Sequence, residues 1–84
     1  MWLIAYDIVD DRRRARVARR LEAQGDRVLW SVFEVSGTRA EIDDLWEGVQ
    51  ALIDPEEDML RMYRLCAGCT ADVGVLGLPG PRAP

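Results

Sequence analysis

The pattern of apolar positions along the chain predicts four strands. Residues 2–9 are apolar at nearly every position, which predicts a strand with two apolar faces and a single acidic exception, Asp7. The segment 27–35 is rich in β-branched and aromatic residues and predicts a second strand. Residues 58–66 predict a third long strand, and the short run 73–77 predicts the last one.

The first predicted helix follows the acidic end of the first strand. It covers about residues 12–24, with Asp10 or Asp11 as its N-cap, and Gly25 stands where a helix usually ends. Its apolar positions form only a narrow stripe, so most of its surface is left to arginines.

The second predicted helix starts with a capping box, in which Thr38 is the N-cap and Glu41 lies three residues further on. Its apolar residues recur at helical spacing on one face, and Pro55 ends it. These residues are Ile42, Leu45, Trp46, Val49, Leu52 and Ile53.

The element order is β-α-β-α-β-β, or β-α-β-β-α-β if residues 27–37 contain a hairpin. In both orders a helix, the segment 27–35 and a second helix separate the strand at 2–9 from the strand at 58–66, as in the split β-α-β pattern of ferredoxin-like folds. We therefore predict an α+β, ferredoxin-like sandwich over residues 1–77, in which two helices cover one face of an antiparallel sheet. Residues 78–84, rich in Pro and Gly, are predicted to be disordered.

The predicted sheet has a second apolar face that one short chain cannot cover. Two helices cover only one face, yet strands 2–9 and 27–35 are apolar on both sides. A two-fold dimer buries the same patch on both copies, and a chain of 84 residues is near the size at which one core is only marginally stable. We therefore predict an obligate homodimer.

The charges of the chain are unevenly distributed, although its net charge is only −4. Residues 1–40 carry a net charge of +2 and residues 41–84 a net charge of −6, and all 11 basic residues are arginines. Arginine suits bidentate phosphate contacts, although high genomic GC content explains the same bias. We expect a cytoplasmic protein with reduced cysteines, because the sequence shows neither a basic segment ahead of the apolar residues nor a run of roughly 20 apolar residues.

Asp7 is the first candidate for chemistry. A carboxylate on a strand that a partner buries is costly unless it is paired, protonated or bound to a metal. Near a two-fold axis, two copies of Asp7 would repel one another, and a hard cation such as Mg²⁺ would relieve that repulsion. The alternative is structural: Asp7 accepts hydrogen bonds from the backbone amides near Val9 and Asp10.

Arginines on the first helix form a candidate phosphate-binding surface. Two neighbouring stripes share the helix, one of Arg13, Arg16 and Arg20 and the other of Arg12, Arg16 and Arg19. In the alternative interpretation this is a solvated face whose arginines pair with Glu22 and Asp26. The acidic second helix is expected to be solvated or to dock a basic protein.

Cys66 and Cys69 form a CxxC motif. Redox chemistry favours such a motif at a helix N-terminus after a strand, whereas a loop and a strand are predicted here. Zinc would need a second copy of the motif from a partner chain. We expect the two cysteines to be packing residues at a strand end.

Five segments in order resemble the Cas2 family of small CRISPR-associated adaptation proteins. They are YDI at 6–8, the acids and arginines that follow it, RVLWSVFE at 27–34, MYRLC at 62–66 and VGVLG at 73–77. The resemblance implies a ferredoxin-like homodimer whose C-terminal strand can lie on the partner's sheet. It also implies a dimer that binds duplex prespacer DNA and bridges dimers of the integrase Cas1 during spacer acquisition, with Mg²⁺- or Mn²⁺-dependent endonuclease activity on RNA or DNA in some members.

The resemblance also implies roles for particular residues. Asp7 matches the family's metal-binding aspartate, Arg14 the arginine after the acid cluster, and Ser31 and Phe33 the S-x-F signature, which together form the implied catalytic set. Leu29 departs from the family, which often has glutamine there. Arg14 also joins the nucleic-acid-binding arginines of the first helix.

Two hypotheses for the function stay open. In one, paired Asp7 residues hold Mg²⁺ for phosphodiester cleavage; in the other, the dimer is a scaffold that binds DNA without cutting it. A third class, a toxin-like ribonuclease that cleaves messenger RNA on the same fold, would cause growth arrest.

Overall fold

The computed structural model describes residues 1–77, and the predicted tail at 78–84 lies outside the described residues. The second of the two predicted element orders, β-α-β-β-α-β, is confirmed, and a short helix follows it. The elements are β1 (Trp2–Asp7), α1 (Asp11–Glu22), β2 (Gly25–Leu29), β3 (Val32–Val35), α2 (Arg39–Gln50), β4 (Met59–Arg64) and α3 (Ala67–Ala71). None of the helices in residues 1–77 is both long enough and apolar enough to cross a membrane.

The four strands form one antiparallel sheet in the order β2-β3-β1-β4. This order confirms the ferredoxin-like prediction. Helices α1 and α2 pack on one face of the sheet, and the core lies between the two layers. Its buried residues are Ile4, Tyr6, Ile8, Val17, Ala18, Leu21, Phe33, Val35, Ile42, Leu45 and Val49.

The other face of the sheet is not covered by any element within residues 1–77 of a single chain. Strand β1 alternates, so Ile4 and Tyr6 are buried against the helices while Leu3, Ala5 and Asp7 point to the open side. On the flanking strands, Leu29 is 63% exposed and Met59 is 52% exposed. The predicted apolar second face is therefore present on this chain.

The predicted strand 27–35 is two strands joined by a tight turn at Trp30 and Ser31. The turn contains neither Gly nor Pro, and it is held by β1 instead. The Tyr6 amide donates to the Ser31 carbonyl at 3.0 Å, and the Tyr6 hydroxyl donates to the Trp30 carbonyl at 3.3 Å. The register shifts between Arg27 and Leu29, which marks a bulge beside the turn.

Helix α1 begins as predicted but ends earlier. Asp10 is the N-cap, and its carboxylate accepts the Arg13 amide at 2.9 Å. The helix ends at Glu22, and Gly25 is the first residue of β2, where it pairs with Val35. A side chain at position 25 would meet the backbone of β3, so Gly25 allows a close approach of two strands and does not cap the helix.

The capping box of α2 is confirmed. The Glu41 amide donates to Thr38 Oγ1 at 3.2 Å, and the Thr38 amide donates to Glu41 Oε1 at 2.9 Å. These two bonds satisfy amides that the helix itself leaves without partners.

The region after β4 differs from its prediction. Residues 73–77 contain no strand, and Val75 and Leu76 are 76% and 101% exposed, because none of the strands within residues 1–77 pairs with this segment. Helix α3, which follows β4 directly, was not predicted from the sequence. Met1 and Leu65 extend the pairing of β1 with β4 by one residue beyond Trp2 and Arg64, since the Leu65 amide donates to the Met1 carbonyl at 2.8 Å.

Candidate nucleic-acid interface

Asp7 is the last residue of β1 and is exposed on the open side of the sheet. Within residues 1–77 its carboxylate accepts no hydrogen bond and forms no ion pair. The structural alternative for Asp7 is wrong, because the Val9 amide donates to Asp58 Oδ1 at 3.1 Å and the Asp10 side chain caps α1 by itself. Asp7 is therefore a carboxylate with open coordination positions.

A cleft of about 550 Å³ lies beside Asp7 and brings three of the predicted site residues together. These are Asp7, Arg14 and Ser31, and the exposed indole of Trp30 lines the same cleft. The complete lining is Tyr6, Asp7, Ile8, Asp11, Arg14, Ala15, Ala18, Arg27, Trp30 and Ser31.

Arg14 fixes the loop that follows Asp7. Its Nε donates to the Ile8 carbonyl at 3.2 Å, and its Nη2 to the Val9 carbonyl at 3.4 Å. Its Nη1 pairs with Asp11 at 2.7 Å. Arg14 therefore holds the backbone between β1 and α1, and its charge is partly offset by Asp11.

Phe33 lies in the core and not in the cleft. Its side chain is fully buried, its ring stacks on Tyr6 at a centroid distance of 6.3 Å, and Arg27 lies over it at 5.2 Å. Burial raises the pKa of the Tyr6 hydroxyl, with Arg27 opposing that shift. The S-x-F pair thus places Ser31 at the cleft and Phe33 beneath it.

Asp58, which was not predicted from the sequence, anchors the loop between β1 and α1 to the segment before β4. Its side chain is fully shielded from solvent, pairs with Arg13 Nε at 2.8 Å, and accepts the Asp54 amide at 2.9 Å as well as that of Val9. The hydrogen bond from Arg13 is the main reason that the pKa of Asp58 falls to about 2. Arg13 lies 45 positions away in the sequence, so no local pattern indicates the pair.

The structure divides the predicted arginine surface into two groups. Arg13 pairs with Asp58 and Glu57, and Arg20 pairs with Asp44 at 3.1 Å. Arg12, Arg16 and Arg19 are exposed and have no carboxylate partner within residues 1–77. All three arginines of the second stripe are therefore available to phosphates, whereas the first stripe keeps only Arg16, which the two stripes share.

The partners predicted in the alternative interpretation are also different. Glu22 pairs with Arg27 at 3.0 Å, and Asp26 makes no ion pair with any described residue. The paired arginines of α1 have other partners instead. Arg14 pairs within the first turn of α1, Arg20 pairs with α2, and Arg13 pairs with the segment before β4.

Within residues 1–77 of a single copy, the cleft offers a metal ion the free carboxylate of Asp7 but not a complete set of protein ligands. No group of three or more His, Cys, Asp or Glu side chains converges at metal-binding distance in residues 1–77. Mg²⁺ binds through one or two carboxylates and completes its shell with water, so the single open carboxylate of Asp7 fits that ion. The cleft therefore suits a metal that a second copy of the chain or a phosphate completes.

The strand order, the helices on one face and the acidic strand end beside an arginine-rich helix define a ferredoxin-like α+β protein. Residues 1–73 match the family model described as CRISPR associated protein Cas2. The chain belongs to the Cas2 family, which confirms the resemblance seen in its sequence.

Relatives of known name and structure agree with this assignment. The chain is 39% identical to a CRISPR-associated endoribonuclease Cas2 of Synechocystis sp. over 94% of this chain and 86% of that protein. It is 44% identical to a CRISPR-associated endoribonuclease Cas2 of Chloroflexus aurantiacus over 90% of this chain and 83% of the relative. The crystal structure of Streptococcus pyogenes Cas2 matches with a TM-score of 0.80 and 33% identity, covering 90% of this chain and 98% of that one.

Proposed function

We propose that this chain acts in CRISPR adaptation as a homodimer that binds duplex prespacer DNA and bridges integrase dimers. The observation that carries this proposal is the set of exposed arginines on α1, Arg12, Arg16 and Arg19, which have no carboxylate partner within residues 1–77 and lie on the helical side of the sheet, opposite its open face. The guanidinium groups attract the backbone phosphates of a duplex, and the open face provides the surface on which two copies associate. Its Cas2 membership supports a CRISPR-associated role.

A charge-removing variant on α1 tests DNA binding. Arg16→Gln should weaken binding to a DNA duplex and reduce the slope of log K against log salt by about 0.9 for each phosphate that the variant no longer binds. Arg39→Gln, which removes the same charge from the start of α2, is the control and should keep the wild-type slope. Equal slopes for Arg16→Gln and wild type would contradict the proposed surface.

Integrase bridging is tested by co-purification with the neighbouring integrase, with and without residues 70–84. The exposed acidic face of α2 and the C-terminal segment are the two candidate docking surfaces. Retention of the integrase by the shortened chain would assign docking to α2, and loss would assign it to the C-terminal segment. Failure of the full chain to retain it would contradict the bridging role.

We propose a second activity, Mg²⁺-dependent phosphodiester cleavage, because Asp7 keeps an open carboxylate and the curated relatives carry the name endoribonuclease. When bound, Mg²⁺ or Mn²⁺ supplies charge stabilisation and an activated water. Asp7 of each copy would hold the ion, Arg14 would keep the Asp7 loop in place, and Ser31 would line the same cleft.

Asp7→Asn tests whether cleavage matters. It should lower metal-dependent cleavage of RNA or DNA by at least about a hundredfold, because several kcal/mol of transition-state stabilisation are removed. Asp11→Asn is the matched control, since Asp11 lines the same cleft but already pairs with Arg14. Wild-type cleavage by Asp7→Asn would rule out the metal role.

Spacer acquisition by Asp7→Asn then separates the two activities. Intact acquisition would show that the scaffold role is independent of hydrolysis. Growth arrest on expression of the wild-type chain, relieved by the same substitution, would favour the toxin-like ribonuclease.

A further inference from the structure

A second groove, of about 880 Å³, lies at the end of β1 opposite Asp7. Two arginines line it, Arg39 at the start of α2 and Arg64 at the end of β4, together with the indole of Trp2 and the thiol of Cys66. None of the described residues that line this groove carries a carboxylate. On a chain with a net charge of −4, this local excess of positive charge favours an anionic ligand.

The two guanidinium groups are placed to bind such a ligand. Both lie over the Trp2 ring, at 5.3 Å for Arg39 and 5.5 Å for Arg64. A guanidinium stacked on an aromatic ring keeps its in-plane N–H donors available for a carboxylate. The Nε of Arg39 donates a hydrogen bond to Asp43 Oδ1 at 3.2 Å, whereas Arg64 has no carboxylate partner among residues 1–77.

Cys66 and Cys69 are not the packing residues that the sequence analysis predicted. Both are free and exposed, and a helix, not a loop and a strand, follows Cys66. The Cys69 amide donates to Cys66 Sγ at 3.4 Å, so the sulfur of the first cysteine already lies against the residue that carries the second thiol. This hydrogen bond lowers the pKa of the Cys66 thiol and favours the thiolate, which is the nucleophilic form.

The backbone of Cys66 is held in this position by Thr70. The Thr70 amide and the Thr70 hydroxyl both donate to the Cys66 carbonyl at 2.9 Å. The fixed turn keeps the Cys69 amide against Cys66 Sγ, with Cys66 at the edge of the cationic groove.

We propose that Cys66 and Cys69 form a thiol–disulfide exchange site for low-molecular-weight disulfides that carry carboxylates, such as oxidised glutathione. Arg39 and Arg64 bind the carboxylates, and the groove places the disulfide beside Cys66. This activity does not rest on the proposed DNA binding or cleavage, because the groove and Asp7 lie at opposite ends of β1.

The exchange proceeds in two balanced steps. The Cys66 thiolate attacks one sulfur of the disulfide, forms a mixed disulfide and expels one thiolate. The Cys69 thiolate then attacks Cys66 Sγ, which closes the Cys66–Cys69 disulfide and expels the second thiolate. The two cysteines are oxidised by two electrons, the small disulfide is reduced to two thiols, and the two cysteine protons end on those thiols.

Intact-mass spectrometry of the reduced full chain with oxidised glutathione tests the site. The wild-type chain should lose two hydrogens and gain no glutathione, because Cys69 resolves the mixed disulfide. Cys69→Ser should accumulate one glutathione per chain, and Cys66→Ser should react much more slowly. Because both side chains are exposed, these variants should melt at the wild-type temperature.

The role of the groove is tested with Arg64→Gln. This variant should react with oxidised glutathione about tenfold more slowly, since a steering charge is removed, and with uncharged hydroxyethyl disulfide at the wild-type rate. Arg61→Gln, on the same strand, is the matched control and should behave as wild type with both reagents.

Three results would overturn the proposal. One is a disulfide that links two chains instead of Cys66 to Cys69. Another is equal reactivity of Cys66→Ser and Cys69→Ser. The third is an equal loss of rate with the charged and the uncharged disulfide in Arg64→Gln, which would show that the groove does not select anions.

Discussion

Asp58 illustrates how one side chain can position a site that it does not touch. It accepts hydrogen bonds from the loop after β1, from its own turn and from Arg13 on α1. The loop that follows Asp7 therefore depends on a carboxylate near the start of β4. A carboxylate that is ionised and fully bonded in the folded state makes stability depend on pH.

Acid should weaken the fold through Asp58. Its pKa is lowered from 3.8 to about 2, so its contribution is complete above about pH 4 and is lost as the pH falls towards 2. Thermal unfolding of Asp58→Asn should show a lower midpoint at neutral pH and a weaker dependence on acid than wild type. Asp26→Asn, at an exposed carboxylate, is the control and should keep the wild-type dependence; the same dependence in Asp58→Asn would contradict the assignment.

The sequence indicated the position of Asp7 but not its surroundings. Alternation along β1 predicts that Asp7 shares a face with Leu3 and Ala5, and the structure agrees. The Arg13–Asp58 pair could not be predicted, because the two residues are distant in the sequence and no local sequence pattern connects them. The division of the α1 arginines depends on that same distant contact.

At the scale of elements, β2 and β3 approach each other closely at Gly25. Gly25 starts β2 opposite Val35, and a Cβ there would meet the Glu34 carbonyl oxygen and lie 2.6 Å from Val35 Cγ1. The first of these neighbours is backbone, so it moves only if the strands separate. Glycine is required here by the close approach of two chain segments.

Gly25→Ala should therefore destabilise the protein by about 1–3 kcal/mol, the usual cost of forcing extra atoms into a packed site. Gly74→Ala is the matched control, since nothing lies within 4 Å of a Cβ at that position, and it should leave stability nearly unchanged. Chemical denaturation of both variants measures the difference. Equal stabilities would show that β2 and β3 adjust without cost.

Local signals predicted the helix starts, and distant contacts determined the rest. Asp10 and Thr38 bind amides within three residues, so both N-caps could be predicted from sequence. The turn at Trp30 and Ser31 is held by hydrogen bonds from Tyr6, and it contains no Gly or Pro from which it could have been predicted. The 73–77 segment has strand composition, but composition cannot supply the neighbouring strand that pairing needs.

At the scale of the molecule, residues 1–77 cover one face of the sheet and leave the other face bare. The core lies only on the helical side, while Leu29, Met59 and Tyr63 on the strands remain 63%, 52% and 47% exposed. Burial of the same face on a second copy would remove this apolar surface from water on both chains. The proposed homodimer follows from this asymmetry.

Leu29→Asp should weaken that dimer. Burying an unpaired carboxylate on each copy costs several kcal/mol, so the dissociation constant should rise by at least about a hundredfold. Ala40→Asp adds the same side chain to the exposed first turn of α2 and should leave association unchanged. Sedimentation of both variants decides the outcome, and a wild-type chain that stays monomeric would contradict the dimer itself.

The pairing of Met1 with Leu65 has a practical consequence for handling the protein. Met1 lines the groove that holds Cys66, and its backbone is bonded to the residue before that cysteine. A purification tag fused ahead of Met1 would emerge into this groove and shield the thiol from reagents. Measurements of cysteine reactivity therefore call for a chain from which any tag ahead of Met1 has been removed.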